Sequence, residues 1–514
     1  MPTAKPAVPL VAPAANTAHS SAVIALGGLL NSLLGGVFAF AVTAILGEGP
    51  SVDGFFAAFS IYTIFIIFGQ TMRVALVPQL GPSSEQERFT ENGRDALGRL
   101  LPQAMVLSVI CVAVAPLIGE LLMRNASTTA RNAATMSIAI LAVASFFQFW
   151  AASQSAVLAG AKRFAGSSVI YVISGTISLV SVTILASLFD TPGAPIGMLI
   201  GAISLGAMHM VFLRRFGFHA HPQPRKFFQQ KTWLIGGRMA TAAILPILIQ
   251  LQLTIALSQI SGFTGAVTGY TYGYLAMSVL AGMTVGAISL STMPTIVASI
   301  EREGRAAAIP YIRDVSSQTL FLYLPLATAY ALFGYPAIKL VFGDFLKPTT
   351  LALFWDSTRV FLLLGLTWSV FTPFTNVALA QRRYRLLALV AIAMLPVNIA
   401  ILLIPGANSG FDEAIAHTVS GAVLFWTLGF AILGLTAFAA IWAIVRKAWP
   451  AAALSCVFVA LALIPGTTDS LGASLACIIG GGIFYLAVAF QFWHGLGRPM
   501  ILQLLSRETA PEPF

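Results

Sequence analysis

The sequence predicts an all-α polytopic membrane protein with about fourteen transmembrane helices, arranged as two parallel-repeat six-helix lobes plus two C-terminal helices. Three observations carry that expectation. First, 58% of the 514 residues are hydrophobic and 9% are charged, against about 25% charged in soluble domains. A chain so poor in charge cannot cover itself with a hydrated surface, whereas lipid solvates an apolar exterior. Second, apolar stretches of about 18 residues or more recur from Ser21 to Trp493, each long enough for a hydrocarbon core of about 30 Å. Helices are the default, because a spanning segment must satisfy its own backbone hydrogen bonds, and the short alternating strands of a membrane barrel are not seen. Third, the basic residues fall on alternate loops.

The spans are expected at 22–46, 55–80, 100–122, 134–160, 166–189, 193–215, 232–259, 266–299, 316–343, 351–380, 384–405, 415–446, 448–466 and 469–495. Segments longer than a simple crossing tilt or reach into the interface. With the N-terminus in the cytoplasm, the outside loops hold only Arg124, Arg131, Lys347 and Arg359, and Arg73 and Lys339 lie within spans; the other 22 of the 28 Lys and Arg fall inside. This is the positive-inside pattern. A miscounted span would invert every later loop, so the alternation supports both the even count and cytoplasmic placement of both termini. The net charge of +10 is thereby accounted for by topology, and nucleic acid is not an expected partner.

Along the chain, residues 1–20 read as a disordered cytoplasmic tail, with Pro2, Pro6, Pro9 and Pro13 breaking any helical signal segment. Residues 21–215 form the N-lobe with spans one to six, 216–231 a cytoplasmic linker, and 232–446 the C-lobe with spans seven to twelve. Residues 447–497 hold the last two spans, and 498–514 a cytoplasmic tail. The three cysteines, Cys111, Cys456 and Cys477, lie inside apolar spans without metal-ligand or disulfide spacing. His219 and His221 in the linker read as solvated, and neither a metal nor a cofactor is expected.

The two lobes resemble one another. Pro78 and Pro294, 216 positions apart, each close a span ahead of a charged inside loop. Leu158 and Leu379, 221 apart, each precede a basic pair, Lys162-Arg163 and Arg382-Arg383. An even-numbered unit repeated at nearly one offset gives a parallel repeat about an axis along the membrane normal, an architecture of transporters that rock about a central cavity.

Polar residues inside spans must face the bundle interior. The candidate substrate or cavity residues are Arg73, Gln70, Asn31, Arg238, Gln250, Tyr270, Tyr274 and Asn376, drawn from a set that also includes Gln148, Gln154, Gln252, Gln259 and Asn398. Each has helix–helix hydrogen bonding as its structural alternative. Arg73 stands out, since an intramembrane guanidinium either binds a phosphate bidentately or snorkels to the headgroups. Arg238 opens span seven and is either a substrate contact or a positive-inside anchor. Asp53, at the start of span two, is a gating or helix-cap candidate. The carboxylates Glu48, Asp190, Asp344, Asp356, Asp412, Glu413 and Asp469 read as scattered over the outside, leaving almost none in the spans beyond Asp53 and Glu120. No Walker motif and no catalytic constellation occurs, so the chain is not expected to be an enzyme.

Three stretches carry a family resemblance. Leu33 to Leu80 has the Leu34-Gly35 pair, the Ile45-Leu46-Gly47 turn, Asp53 ahead of Phe55, Phe56 and Phe59, and the closing Val77-Pro78. Tyr270 to Ile296 has Gly282, Gly286 and Pro294, and a third stretch runs from span ten to Val397-Asn398. Together they resemble the MurJ (MviN) lipid II flippases of the multidrug/oligosaccharidyl-lipid/polysaccharide exporter superfamily. The resemblance implies a transporter of the bacterial cytoplasmic membrane that flips a polyprenyl-linked saccharide by alternating access. The implied partners are that lipid-linked glycan, membrane lipids and the cell-envelope synthesis machinery. The chain departs from the family pattern where a cationic cavity would be lined. Span one is uncharged, Ile64 to Ile67 stand at the family's arginine pair in helix two, Gly273 stands near its helix-eight arginine, and spans seven and eleven lack the carboxylates of its sodium site. A drug/cation antiporter of the same superfamily and a transport-inactive membrane scaffold in envelope synthesis are the alternatives.

Overall fold

The structure is a computed structural model, and it describes residues 17–76, 80, 86–161, 163–216, 218, 229–286, 288, 292, 296, 300, 302, 304, 308–404, 410–468 and 470–492. These fold into fourteen helices with no strand among the described residues. In chain order they are α1 Thr17–Leu46, α2 Pro50–Leu76, α3 Gln86–Leu122, α4 Thr128–Gly160, α5 Phe164–Phe189, α6 Gly193–Arg214 and α7 Gln230–Ile260. Next come α8 Ala266–Ala281, α9 Ala308–Phe342, α10 Pro348–Ala380, α11 Tyr384–Leu403, α12 Gly410–Leu433, α13 Thr436–Ala462 and α14 Leu471–Phe492. Twelve are long and apolar enough to cross a membrane. The other two are α1, whose Leu33–Leu46 segment is apolar, and α8, which passes into a π-helical turn at Gly282–Gly286. A π-turn widens the backbone for a single turn and often marks a functional segment; here a glycine stands at each end of it.

Two compact units result: Met1–Val267 with Leu387–Leu395, and Thr268–Leu386 with Pro396–Phe514. In the first, α2 packs on α4 and α7, α3 on α4 and α7, α4 on α6, α5 on α6 and α1 on α5. In the second, α9 packs on α10, α13 and α14, and α10 on α12. Small residues set the closest approaches, as expected where lipid removes the hydrophobic drive between helices. A methyl added at Gly54 of α2 would collide with the Ala130 carbonyl of α4 and lie 2.9 Å from the Ala134 nitrogen. A methyl at Gly269 of α8 would lie 2.8 Å from the Thr350 carbonyl oxygen and 3.5 Å from the Phe354 nitrogen of α10.

Those two crossings reveal the duplication, since residues 130 and 134 become 350 and 354 at an offset of 220. The same offset relates the ends of α4 and α10. Arg163 N donates to the Leu158 carbonyl at 2.8 Å, and Arg383 N to the Ala378 carbonyl at 2.8 Å. Ala161 N and Gln381 N donate to Val157 and Val377 at 2.9 Å each. Arg163 (φ −101°, ψ 50°) and Arg383 (φ −83°, ψ 42°) then open α5 and α11 in one conformation. The equivalent of Leu158 is thus Ala378, one position before the Leu379 read from sequence. Pro78 and Pro294 lie outside the described residues.

Several helix bounds differ from the sequence expectation. The chain turns between α12 and α13 at Gly434, with φ +61°, where the left-handed conformation ends a helix without a Cβ penalty. Expected spans of 415–446 and 448–466 placed that break at Arg446-Lys447 instead. Both residues are inside α13, and Lys447 Nζ reaches Asp314 of α9 at 3.0 Å. The α3 helix starts at Gln86 and α9 at Ala308, because their first turns are amphipathic and a hydropathy window passes over them. The α1 helix starts at Thr17, so it includes the last residues of the expected N-terminal tail.

Candidate functional site

A buried network joins Ser155, Ser167 and His209 in the first unit. The buried polar chemistry around Asp53, Gln250, Tyr270 and Tyr274 collects in two other places, one in each unit. In the first, the α2–α7 seam carries it. Ser60 Oγ and Thr254 Oγ1 are 3.2 Å apart, and Thr254 also donates to the Gln250 carbonyl. Gln250 and Gln252 are buried, and the Nε2 of each lacks a hydrogen-bond partner. Asp53 sits in the first turn of α2 and is 3% exposed. It is not the N-cap, since its own N–H donates to the Gly49 carbonyl at 3.0 Å. Its carboxylate oxygen Oδ2 instead accepts the N–H of Gly265 at 2.7 Å, in the turn after α7. Gly265 has φ +83°, a conformation that presents its N–H toward α2 and that side chains with a Cβ resist.

In the second unit, an aromatic wall encloses two titratable side chains. Tyr270 and Tyr274, one turn apart on α8, pack edge-on against Phe361 of α10 with centroids at 5.1 and 5.6 Å. Trp368 closes the other side of Tyr274 at 6.4 Å. From α12, the His417 ring stacks on Tyr274 at 5.7 Å, and its Nδ1 lies 3.0 Å from the Tyr270 hydroxyl. That hydroxyl also reaches the Glu413 backbone carbonyl at 3.5 Å. Glu413 and His417 are each 0% exposed. Both Glu413 carboxylate oxygens and His417 Nε2 have no hydrogen-bond partner. Glu413 therefore does not belong to the outside loops where the sequence reading placed it. It occupies the first turn of α12, which begins at Gly410, five residues before the expected span.

The remaining candidates distribute as follows. Asn31 of α1 is exposed. Asn376 of α10 is half-buried, and its Nδ2 lacks a hydrogen-bond partner. Arg73 and Gln70 fall within α2 and Arg238 within α7, with side chains outside the described residues. Gln148 donates to the Tyr62 hydroxyl at 3.0 Å, and Gln259 accepts from Arg124 at 3.0 Å. These two perform the helix-bonding role that was their structural alternative. Tyr270 and Tyr274 are brought together. Glu413 and His417 are what sequence reasoning missed. Their i, i+4 spacing, with Ser420 a turn further on, was the available signal of a polar stripe on one helical face.

Among the described residues no group of three or more His, Cys, Asp or Glu side chains is placed to hold a metal ion. His219 and His221 lie outside them. The second-unit cluster can hydrogen-bond, stack and exchange a proton.

Comparison with known proteins adds the following. A sequence model of the family described as lipid II flippase MurJ matches residues 42–479. No curated protein sequence matches the chain. Among solved structures, a lipid II flippase MurJ in an inward closed conformation is similar with a TM-score of 0.72 at 16% identity, over 93% of this chain and 100% of that one. An inward-facing multidrug resistance MATE family transporter of the MOP superfamily is similar with a TM-score of 0.60 at 14% identity, over 82% and 99%. A MOP superfamily transporter from Pyrococcus furiosus gives 0.59 at 12% identity, over 84% and 96%. At such identities the structural likeness shows the shared fold.

Proposed function

We propose, from the premise that the chain belongs to the lipid II flippase MurJ family, that it moves a polyprenyl-linked cell-envelope saccharide from the inner to the outer leaflet of a bacterial cytoplasmic membrane. The family match over residues 42–479 is the observation that carries this reading. It covers every helix except most of α1 and the second half of α14. The chain is a transporter and a multi-pass inner-membrane protein, and its substrate is lipid-linked.

Alternating access of two lobes, 21–215 and 232–446, is the mechanism this reading adopts. It is supported by the duplicated pattern of helix ends at the 220-residue offset. Both termini are assigned to the cytoplasm on the basic-residue asymmetry. Arg73 is assigned to the phosphate of the arriving substrate, assisted by Gln70. With Ile64 to Ile67 and Gly273 where the family carries arginines, the charge available for a pyrophosphate is smaller here. A saccharide handled more through hydroxyl hydrogen bonds and aromatic stacking fits the residues present. The cell-envelope synthesis machinery is the partner this role implies.

The antiporter alternative requires a buried carboxylate in the spans, and Glu413 is one. The family match still favours the flippase. Expression of the chain in a bacterium depleted of its own lipid II flippase tests the reading: sustained growth and wall synthesis are expected, whereas lysis at matched expression counts against lipid II as the substrate.

A further inference from the structure

Glu413 and His417 are one helical turn apart on α12, each 0% exposed, and three polar atoms between them lack a partner: both Glu413 carboxylate oxygens and His417 Nε2. A buried carboxylate without a cation or a proton carries a large desolvation cost. An intramembrane ionisable group with no structural partner is a functional site by default. We propose that Glu413 and His417 form a proton-carrying site on α12, with the Glu413 carboxylate as the proton acceptor and His417 as its relay.

The surroundings select a proton over a metal cation. Among the described residues, the side-chain oxygens at the site are the two of Glu413 and the Tyr270 hydroxyl, which already lies 3.0 Å from His417 Nδ1 and 3.5 Å from the Glu413 backbone carbonyl, and the rings of Tyr274 and Phe361 pack on His417. Hard divalent cations take about six or more oxygen ligands, more than these groups supply. The charged groups of the elements packed on α12 do not neutralise the carboxylate. On α10, Arg359 turns to the Trp355 ring, 5.8 Å from its centroid, and is exposed. Asp356 is half-buried on the stripe with Leu353 and Val360, which touches α12 at Gly410 and Thr418; it adds negative charge. On α8 the titratable groups are Tyr270 and Tyr274 themselves. On α13, Lys447 is engaged with Asp314, and Arg446 is its neighbour. Within α12, Asp412 is exposed. Among the described residues neither carboxylate oxygen of Glu413 has a Lys, Arg or other hydrogen-bond partner, so a proton is the charge that satisfies it.

The step is a simple acid–base exchange. Glu413 carboxylate takes a proton from water admitted on one side of the membrane, becomes a neutral carboxyl, and returns the proton to water on the other. His417 Nε2, free to accept or donate, extends the path by one turn while Nδ1 stays on Tyr270. Use of this proton to drive transport rests on the flippase reading; proton binding does not.

Infrared difference spectra of the full-length protein in lipid nanodiscs, titrated in pH with choline or sodium as the salt, separate the cases. The expected result is a protonated-carboxyl carbonyl stretch that titrates, is lost in Glu413→Gln, is unaffected by sodium, and shifts its midpoint in His417→Gln. An unchanged band in Glu413→Gln overturns the proposal, and so does loss of the wild-type band on adding sodium at fixed pH, which would assign the site to a metal cation. Should Glu413→Gln not purify, Glu413→Asp is expected to move the band, and an identical spectrum overturns the proposal equally. In proteoliposomes, an imposed pH gradient is expected to accelerate flipping several-fold in the wild type and not in Glu413→Gln. A titrating band without that acceleration overturns coupling alone. A titrating band in a protein that flips no lipid-linked saccharide retains the proton site and removes the flippase reading.

Discussion

The Asp53 carboxylate accepts the Gly265 N–H at 2.7 Å, joining two turns that are 212 residues apart in the chain. The bond fixes the start of α2 to the turn after α7, and with the Ser60–Thr254 contact it gives the α2–α7 seam two polar ties. Asp53→Ala removes a buried acceptor and leaves an amide to find another, at a cost of about 1–3 kcal/mol. Asp53→Asn retains an acceptor oxygen and should recover most of that. Thermal unfolding of the purified variants reads the difference; equal midpoints for Ala and wild type would show that the tie contributes nothing to stability.

The paired close approaches at Gly54 and Gly269 predict equal sensitivity in the two halves. Alanine at either position forces a methyl toward a carbonyl of the facing helix, and overpacking of this kind costs about 1–3 kcal/mol. Gly35→Ala, in α1 with nothing within 4 Å of the added methyl, is the control and should be neutral. Detergent-resistance assays of the three variants check the order.

Arg73 separates substrate handling from snorkelling by its response to lysine. Lysine keeps the charge and loses the planar fork. Phosphate recognition predicts that Arg73→Ala abolishes flipping and Arg73→Lys impairs it, with both proteins inserting and purifying normally. Full activity in the alanine variant at matched expression would leave Arg73 as a membrane anchor.

Topology is open to direct labelling. After removal of Cys111, Cys456 and Cys477, single cysteines at 190 and 263, at the ends of α5 and α7, should react with impermeant maleimide in intact cells. A cysteine at 382, between α10 and α11, should react only after permeabilisation. Phe263 and Arg382 are both exposed. The reverse pattern would place both termini outside.

Most of the architecture was legible because hydropathy and charge report the solvent each segment meets. Each of the fourteen expected spans coincides with a helix to within a turn or two at one end at least, and Arg163 and Arg383 mark equivalent turns in sequence and structure alike. What escaped was whatever an apolar window conceals. The sequence on both sides of Gly434 is apolar, FAILGLTAFAAIW over 430–442, so the turn there depends on a backbone angle, φ +61°, that hydropathy does not sense. Glu413 lies at the edge of the expected span 415–446 and was read as a loop carboxylate, although the structure buries it completely. The partner of Asp53 is a backbone N–H at Gly265, and no side-chain pattern announces a backbone donor. Tyr270 and Tyr274 were legible as a pair one turn apart, but their enclosure by Phe361, Trp368 and His417 depends on helices that only the fold brings together.

Reconstitution tests the central claim most directly. Purified protein in proteoliposomes containing lipid II or another polyprenyl-linked saccharide, with outer-leaflet substrate scored by an impermeant modifying enzyme, should render inner-leaflet substrate accessible at a rate well above protein-free vesicles. The same vesicles should not export cationic dyes. Dye export without movement of the lipid-linked saccharide would contradict the account and assign the chain to the antiporter branch of the superfamily.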